Sequence, residues 1–341
     1  MRVMRVTTIH GTRDIRLENR PTPTIDAPTD AVIKVSASCI CGSDLWPYRG
    51  ENKITPGDTI GHEMIGIVEE VGNDVRSFRP GDFVIAPFCH SDNTCPHCRA
   101  GMTSACANRG FTTGGQGEYA KVTQAEGSLV KTDGVPDASL LPSLLTLSDV
   151  FPTGWHCAVA AGVKPGDTVV VVGDGAVGLC AVLAAAQMGA ERVVAMSRHE
   201  DRQKIARQFG ATHIVAERGK EGADRIKDLT DGVGADAVLE CVGTHDSMLQ
   251  AFGCARPGST VGFVGVPHGV ELPLRRMFTM NIGLAGGMAP VRAYLPELLE
   301  LVASGAVDPG LVFDARMPLE QVAEGYRAMD ERRAIKVYLD V

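Results

Sequence analysis

No apolar run in this chain reaches the ~20 residues needed to cross a bilayer, so no membrane-spanning helix is expected. Lys and Arg do not gather into a long run either. The 33 basic residues stand against 41 acidic ones, and the net charge of −8 argues against a general nucleic-acid or anionic-membrane binder. An apolar leader is also missing. Met1-Arg2-Val3-Met4-Arg5-Val6 runs on into His, Arg and Asp, so no secretory signal is expected and the chain reads as cytoplasmic. Aromatic residues make up only 5%, which with 39 glycines suits an α/β enzyme with many tight turns. At 341 residues the chain exceeds the roughly 250–300 at which single cores stop growing, so two domains are expected.

Cysteine is the residue in good supply, with ten copies. A large chain without a signal does not read as a disulfide scaffold, and Cys95-x2-Cys98-x7-Cys106 has metal-binding spacing. Cys39, Cys157, Cys180, Cys241 and Cys254 lack such spacing and read as packed thiols.

Residues 1 to about 150 read as short strands broken by Gly and Pro, among them 31–35, 63–72 and 82–86. Antiparallel, barrel-like packing with metal-holding loops is expected there. From about 165 the texture changes. Thr168-Val169-Val170-Val171-Val172 is a continuous apolar run, as in a parallel strand covered on both faces. An Ala/Leu-rich helix follows to near Gly189, then a strand 192–196, a helix 201–209, and strands 237–240, 260–264 and 282–285. This alternation predicts a doubly wound parallel sheet. The last ~50 residues predict one amphipathic helix, 296–303, and a β-like end at 334–339.

Three stretches carry the chemistry: Cys41-Gly42-Ser43-Asp44, Gly61-His62-Glu63, and Asp149 within Leu147-Ser148-Asp149-Val150. Thiolate, imidazole and carboxylate form a ligand set for Zn²⁺, and three protein ligands leave the fourth position open to a substrate oxygen. Asp44 is placed to orient the second nitrogen of His62, and Ser43 to reach an oxygen at the metal. Glu63 stands either behind the ligands or among them. Asp92, Cys95, Cys98 and Cys106 make a second, closed and structural metal group, with Cys89, His90 and His97 as other possible fourth ligands.

Gly173-x-Gly175-x-x-Gly178 follows a strand and opens a helix, where backbone can approach a pyrophosphate at the helix N-terminus. Ala176 and Val177 belong to the same cradle, and Gly265 with Val266 are placed beside the cofactor too. Asp174 is a discord in the loop, because its charge must turn away from the phosphates. The second strand ends in Ser197-Arg198-His199 rather than an acid, with Arg202 one turn on. Hydroxyl and guanidinium groups suit a 2′-phosphate, so NADP(H) is expected over NAD(H).

With these motifs together, and with Gly81-Asp82 and Pro152-Thr153-Gly154, the chain resembles the zinc-dependent alcohol dehydrogenases of the medium-chain dehydrogenase/reductase superfamily over its whole length. The resemblance implies a GroES-like catalytic domain from residues 1–152 and 289–341, and a Rossmann domain from 153–288. It implies Cys41, His62 and Asp149 as catalytic zinc ligands, Glu63 as the adjacent carboxylate and Ser43 as the proton-passing hydroxyl. Thr153 would lie beside the nicotinamide and Lys336 near the pyrophosphate. Asp149 replaces the Cys of many relatives, as in the branch containing formaldehyde dehydrogenases. Asp92 stands where Cys is usual, and Trp46 where some relatives carry a proton-relay His. A small alcohol or carbonyl substrate is implied, with a homotetramer or homodimer meeting near residues 280–284. Two other readings stay open: a zinc-free quinone or enone reductase of the same fold, and a non-catalytic dinucleotide-binding protein.

Overall fold

The computed structural model describes residues 2–341; Met1, the start of the N-terminal stretch considered above, lies outside them. The chain forms two compact units, Met1–Asp149 with Pro290–Val341, and Val150–Ala289.

The first unit is built on a seven-stranded sheet. Its order is Val130–Lys131, Phe83–Ala86, Met64–Val71, Ala31–Cys39, Val337–Asp340 and Ala315–Pro318, with Tyr119–Val122 also pairing with Ala31–Cys39. All pairings are antiparallel except the last, between Ala315–Pro318 and Val337–Asp340. Alternate side chains of these strands close over Ile33, Met64, Val68, Val84 and Leu129, all nearly or fully buried. A smaller sheet joins Asp14–Pro21, Val3–Gly11 and Asp58–Thr59.

Register carries the functional consequence. Ser38 pairs with Met64, and Cys39 with Tyr338. The residues just past these pairs therefore converge: Cys41 after one strand, His62 and Glu63 before the second, Lys336 before the third. Three segments far apart in sequence meet at one sheet end because the pairing leaves them no other place.

The second unit is a six-stranded, wholly parallel sheet. Its order is His213–Val215, Arg192–Met196, Thr168–Val172, Ala235–Glu240, Ala255–Phe263 and Gly283–Gly286. Counted along the unit this is 3-2-1-4-5-6, with the reversal at Thr168–Val172, whose C-terminal end is therefore where a ligand crevice opens. Val169, Val170 and Val171 are fully buried, as the apolar run demands. The helix Ala176–Gln187 begins inside the glycine loop that follows.

Several helices, among them Val150–Ala161, Gly219–Leu229 and His245–Cys254, go beyond the sequence expectation, and two near the C-terminus are instructive. The helix expected at 296–303 begins five residues earlier, as Val291–Ala303 with Pro296 inside it. A second C-terminal helix, Val322–Asp330, has no counterpart in the sequence reading. Gly325 lies at its middle, which breaks the pattern of a helix former. A Cβ there would meet the Ile40 Cδ1 atom at 2.7 Å and require that side chain to shift.

Candidate metal and dinucleotide sites

Cys41, His62, Glu63 and Asp149 each offer a ligand atom, and all four atoms lie within 4.8 Å of one another. Cys41 opens the short turn Gly42–Asp44, where its N–H donates to the Asp44 carboxylate over 3.0 Å. The other Asp44 oxygen stands 3.3 Å from His62 Nδ1, and Asp149 Oδ2 stands 3.3 Å from His62 Nε2. Cys41 Sγ is 3.5 Å from the same Asp149 oxygen. Asp44 thus fixes the imidazole from behind and leaves Nε2 facing the group.

Glu63 is 1% exposed. Its Oε2 accepts from Lys336 Nζ at 2.5 Å and from the Cys39 thiol at 2.5 Å, while its Oε1 is buried without a hydrogen-bond partner. Burial pushes the Cys41 thiol up, and the neighbouring Asp149 and Glu63 carboxylates push it further. Burial likewise raises Glu63, against the pull of Lys336. For His62, burial works against the cation, yet Asp44, Cys41 and Asp149 together carry its pKa well above the ordinary histidine value. Three acidic groups that hinder one another's ionisation, gathered around one imidazole, are the donor set a divalent cation resolves. The orphaned Glu63 oxygen is a further acceptor for it. The residues fit zinc.

Asp44 is held from a second side. Gln116 donates to the Cys39 carbonyl at 3.1 Å and to Asp44 Oδ2 at 3.3 Å, and accepts from the Tyr326 hydroxyl at 3.1 Å. Both side chains are fully buried. Gly61 makes room for this bridge: its φ is +92°, and a Cβ there would fall 2.4 Å from Gln116 Cγ. The sequence does not single out Gln116 or Tyr326, and it presents Cys39 only as a packed thiol. The only hint is a polar residue set among glycines in Gly114-Gly115-Gln116-Gly117.

Lys336 lies at the same sheet end. The residue expected near a pyrophosphate is 1% exposed, and its ammonium donates to Glu63 and to the Ile40 carbonyl at 3.3 Å. A buried ammonium without an anion is costly, so Glu63 is its necessary neighbour. Ser43, half-buried, occupies the turn between Cys41 and Asp44.

The second group gathers Asp92, Cys95, Cys98 and Cys106, and not Cys89, His90 or His97. The Cys95 sulfur lies 3.5 Å from that of Cys98 and 3.9 Å from that of Cys106; Cys98 Sγ is 3.5 Å from Asp92 Oδ1. Backbone N–H groups of Thr94 and Cys95 hold Asp92 well below the usual carboxylate range. N–H donors from Ala107 and Cys98 pull Cys95 down to about 7, whereas burial and the adjacent thiols push Cys98 up to about 12. Cys89 stays outside, a buried thiol pushed up to about 12 by desolvation.

In the second unit, Gly173 has φ +116°, and a Cβ on Gly178 would come 2.0 Å from the Gly173 carbonyl oxygen. The loop therefore folds back on its own helix, with Gly175, Ala176 and Val177 at the helix start. Gly265 packs on Gly243, whose nitrogen a Cβ would meet at 2.1 Å, and Val266 beyond it is 53% exposed. Thr153 lies buried in the helix Val150–Ala161. Arg198 is exposed. Ser197 and Arg202, the groups expected to suit a 2′-phosphate, donate to Asp174 at 2.7 Å and 3.1 Å.

Comparison with known proteins agrees with this architecture. Residues 27–135 match the family model for the alcohol dehydrogenase GroES-like domain, and residues 176–304 that for zinc-binding dehydrogenase. A zinc-type alcohol dehydrogenase B of Aspergillus flavus is 34% identical over 98% of this chain and 80% of its own length. The alcohol dehydrogenase TADH of Thermus sp. ATN1 superposes with a TM-score of 0.91 at 32% identity, covering 99% of this chain and 100% of that one. A zinc-dependent alcohol dehydrogenase 2 from Streptococcus pneumonia also gives 0.91, at 28% identity over 99% and 98%. The chain belongs to the zinc-dependent alcohol dehydrogenase family of the medium-chain dehydrogenase/reductase superfamily. It has a GroES-like domain and a Rossmann-type parallel sheet. Among the described residues no helix is long and apolar enough to cross a membrane.

Proposed function

We propose that the chain interconverts an alcohol and its aldehyde or ketone, using zinc at Cys41, His62 and Asp149 and NADP(H) at the glycine loop. The observation that carries this is the convergence of Cys41, His62, Glu63 and Asp149, with one Glu63 oxygen buried and unpartnered. Zinc held there supplies Lewis acidity toward the substrate oxygen, and a bound nicotinamide supplies or takes the hydride.

The chain's own residues supply the rest. Asp44 keeps His62 in one tautomer, and Gln116 with Tyr326 keeps Asp44 in place. Glu63, paired with Lys336, lies beside the ligands and can stand in when substrate is absent. Ser43, two residues from a ligand, takes or returns the hydroxyl proton. Burial of the surrounding groups keeps water out and strengthens each polar contact. Gly173, Gly175 and Gly178 let backbone approach the pyrophosphate, and Thr153 sits toward the nicotinamide. Ser197, Arg198 and Arg202 favour a 2′-phosphate. Asp92, Cys95, Cys98 and Cys106 hold a second, structural zinc.

Two copies are proposed to meet along the edge strand Gly283–Gly286, next to which the helix Leu274–Met280 exposes 84% of Phe278 and 67% of Leu274. Ten free cysteines, seven of them outside any thiolate trio, suit a reducing cytoplasm.

Replacing Ser43 by Ala tests the mechanism. Turnover of an alcohol/ketone pair with NADP(H) should fall by about 10²–10⁴-fold, the usual contribution of a positioned acid–base group, with zinc content unchanged. Undiminished turnover would remove Ser43 from the proton path.

A further inference from the structure

Asp174 has an unusual place. It follows the first glycine of the loop, where a negative charge would face phosphates, yet its side chain is only 11% exposed. Its Oδ2 accepts from Ser197 Oγ at 2.7 Å, its Oδ1 from Arg202 Nη1 at 3.1 Å, and its backbone carbonyl from the same nitrogen at 3.3 Å. Ser197 is the residue immediately after the strand Arg192–Met196. In dinucleotide folds an acid at that strand end receives the adenosine ribose 2′-hydroxyl. Here no acid stands at the strand end itself. A carboxylate reaches the same point from the glycine loop instead, and it pairs with two of the donors that a 2′-phosphate would need.

We infer that Asp174 is the residue that sets cofactor selectivity, by competing with a 2′-phosphate for Arg202 and Ser197 and by accepting from the 2′-hydroxyl of NAD. This rests on the proposal that the Ser197–Arg202 segment faces the adenosine ribose. Arg202 has one strongly held charge partner in this structure. A phosphate entering beside it meets a like charge at hydrogen-bond range and must take the guanidinium away from Asp174. A 2′-hydroxyl meets no such opposition and gains an acceptor. Asp174 thus narrows the preference for NADP that Ser197, Arg198 and Arg202 would otherwise give, so selectivity is a difference between two opposed contributions. Carboxamide or hydroxyl in its place keeps a polar partner for Ser197 while removing the charge.

The test uses the zinc-loaded full-length protein and two small probes, adenosine 2′,5′-bisphosphate and adenosine 5′-phosphate, titrated by calorimetry. Asp174→Asn should raise the ratio of bisphosphate to monophosphate affinity at least tenfold. Asp174→Ser should do the same, and thermal melting shows that each variant is folded. An unchanged or lowered ratio in the folded variants overturns the role of Asp174. Arg198→Ala separates this from the NADP reading. If the wild type shows no preference for the bisphosphate and Arg198→Ala weakens both probes equally, the 2′-phosphate reading fails, while a tenfold rise in Asp174→Asn still upholds the selectivity role.

Discussion

Lys336 and Glu63 show most clearly what a single residue does here. Each is 1% exposed, and their charged atoms are 2.5 Å apart. Burying two charges is costly, but removing one partner is costlier, because the other is left without compensation. Lys336→Met should therefore destabilise the protein by about 3–5 kcal/mol in urea unfolding. The double variant Glu63→Gln/Lys336→Met should recover most of that. A single-variant loss below about 1 kcal/mol would show that the pair is not a coupled buried pair. Sequence made some residues at this scale readable and hid others. Cys41, His62 and Asp149 are recognisable because zinc limits the side chains that can bind it. Gln116 and Tyr326 are 210 residues apart, and nothing in either neighbourhood indicates that they share a hydrogen bond. Lys336 is implied only by the resemblance, and its neighbour depends on strand register.

At the scale of elements, the parallel strands were the easiest to read. Val169 to Val171 are buried on both faces, and a short run of β-branched residues after a glycine turn favours a strand over a helix. The helices were harder. Val322–Asp330 is nine residues long with a glycine inside it, packed close to Ile40, which weakens the helical pattern. Val291–Ala303 carries Pro296, which reads as a first helical position although the helix has already begun. The glycine loop is the element whose geometry is most strictly set. Gly178→Ala would place a methyl 2.0 Å from a backbone carbonyl, with no flexible side chain to yield. Dinucleotide affinity should fall by about tenfold or more, equal to 1.4 kcal/mol, in a calorimetric titration. Zinc content should stay as in the wild type. Retained affinity would place the dinucleotide elsewhere than the loop.

Across the whole molecule, the chain leaves its first unit after Asp149 and returns at Pro290, and its last strand pairs with Ala31–Cys39. Both candidate metal groups lie in that first unit on separate residues, so a substitution in one leaves the ligands of the other in place. That separation makes the central proposal countable. Metal per subunit would be measured by plasma emission on protein purified without added zinc, for the wild type and for Cys41→Ala. Two zinc ions falling to one is the expected result, with the remaining ion at Asp92, Cys95, Cys98 and Cys106. A wild type that takes up only one zinc, even after incubation with excess metal, and keeps it in Cys41→Ala would contradict a catalytic zinc at Cys41, His62 and Asp149.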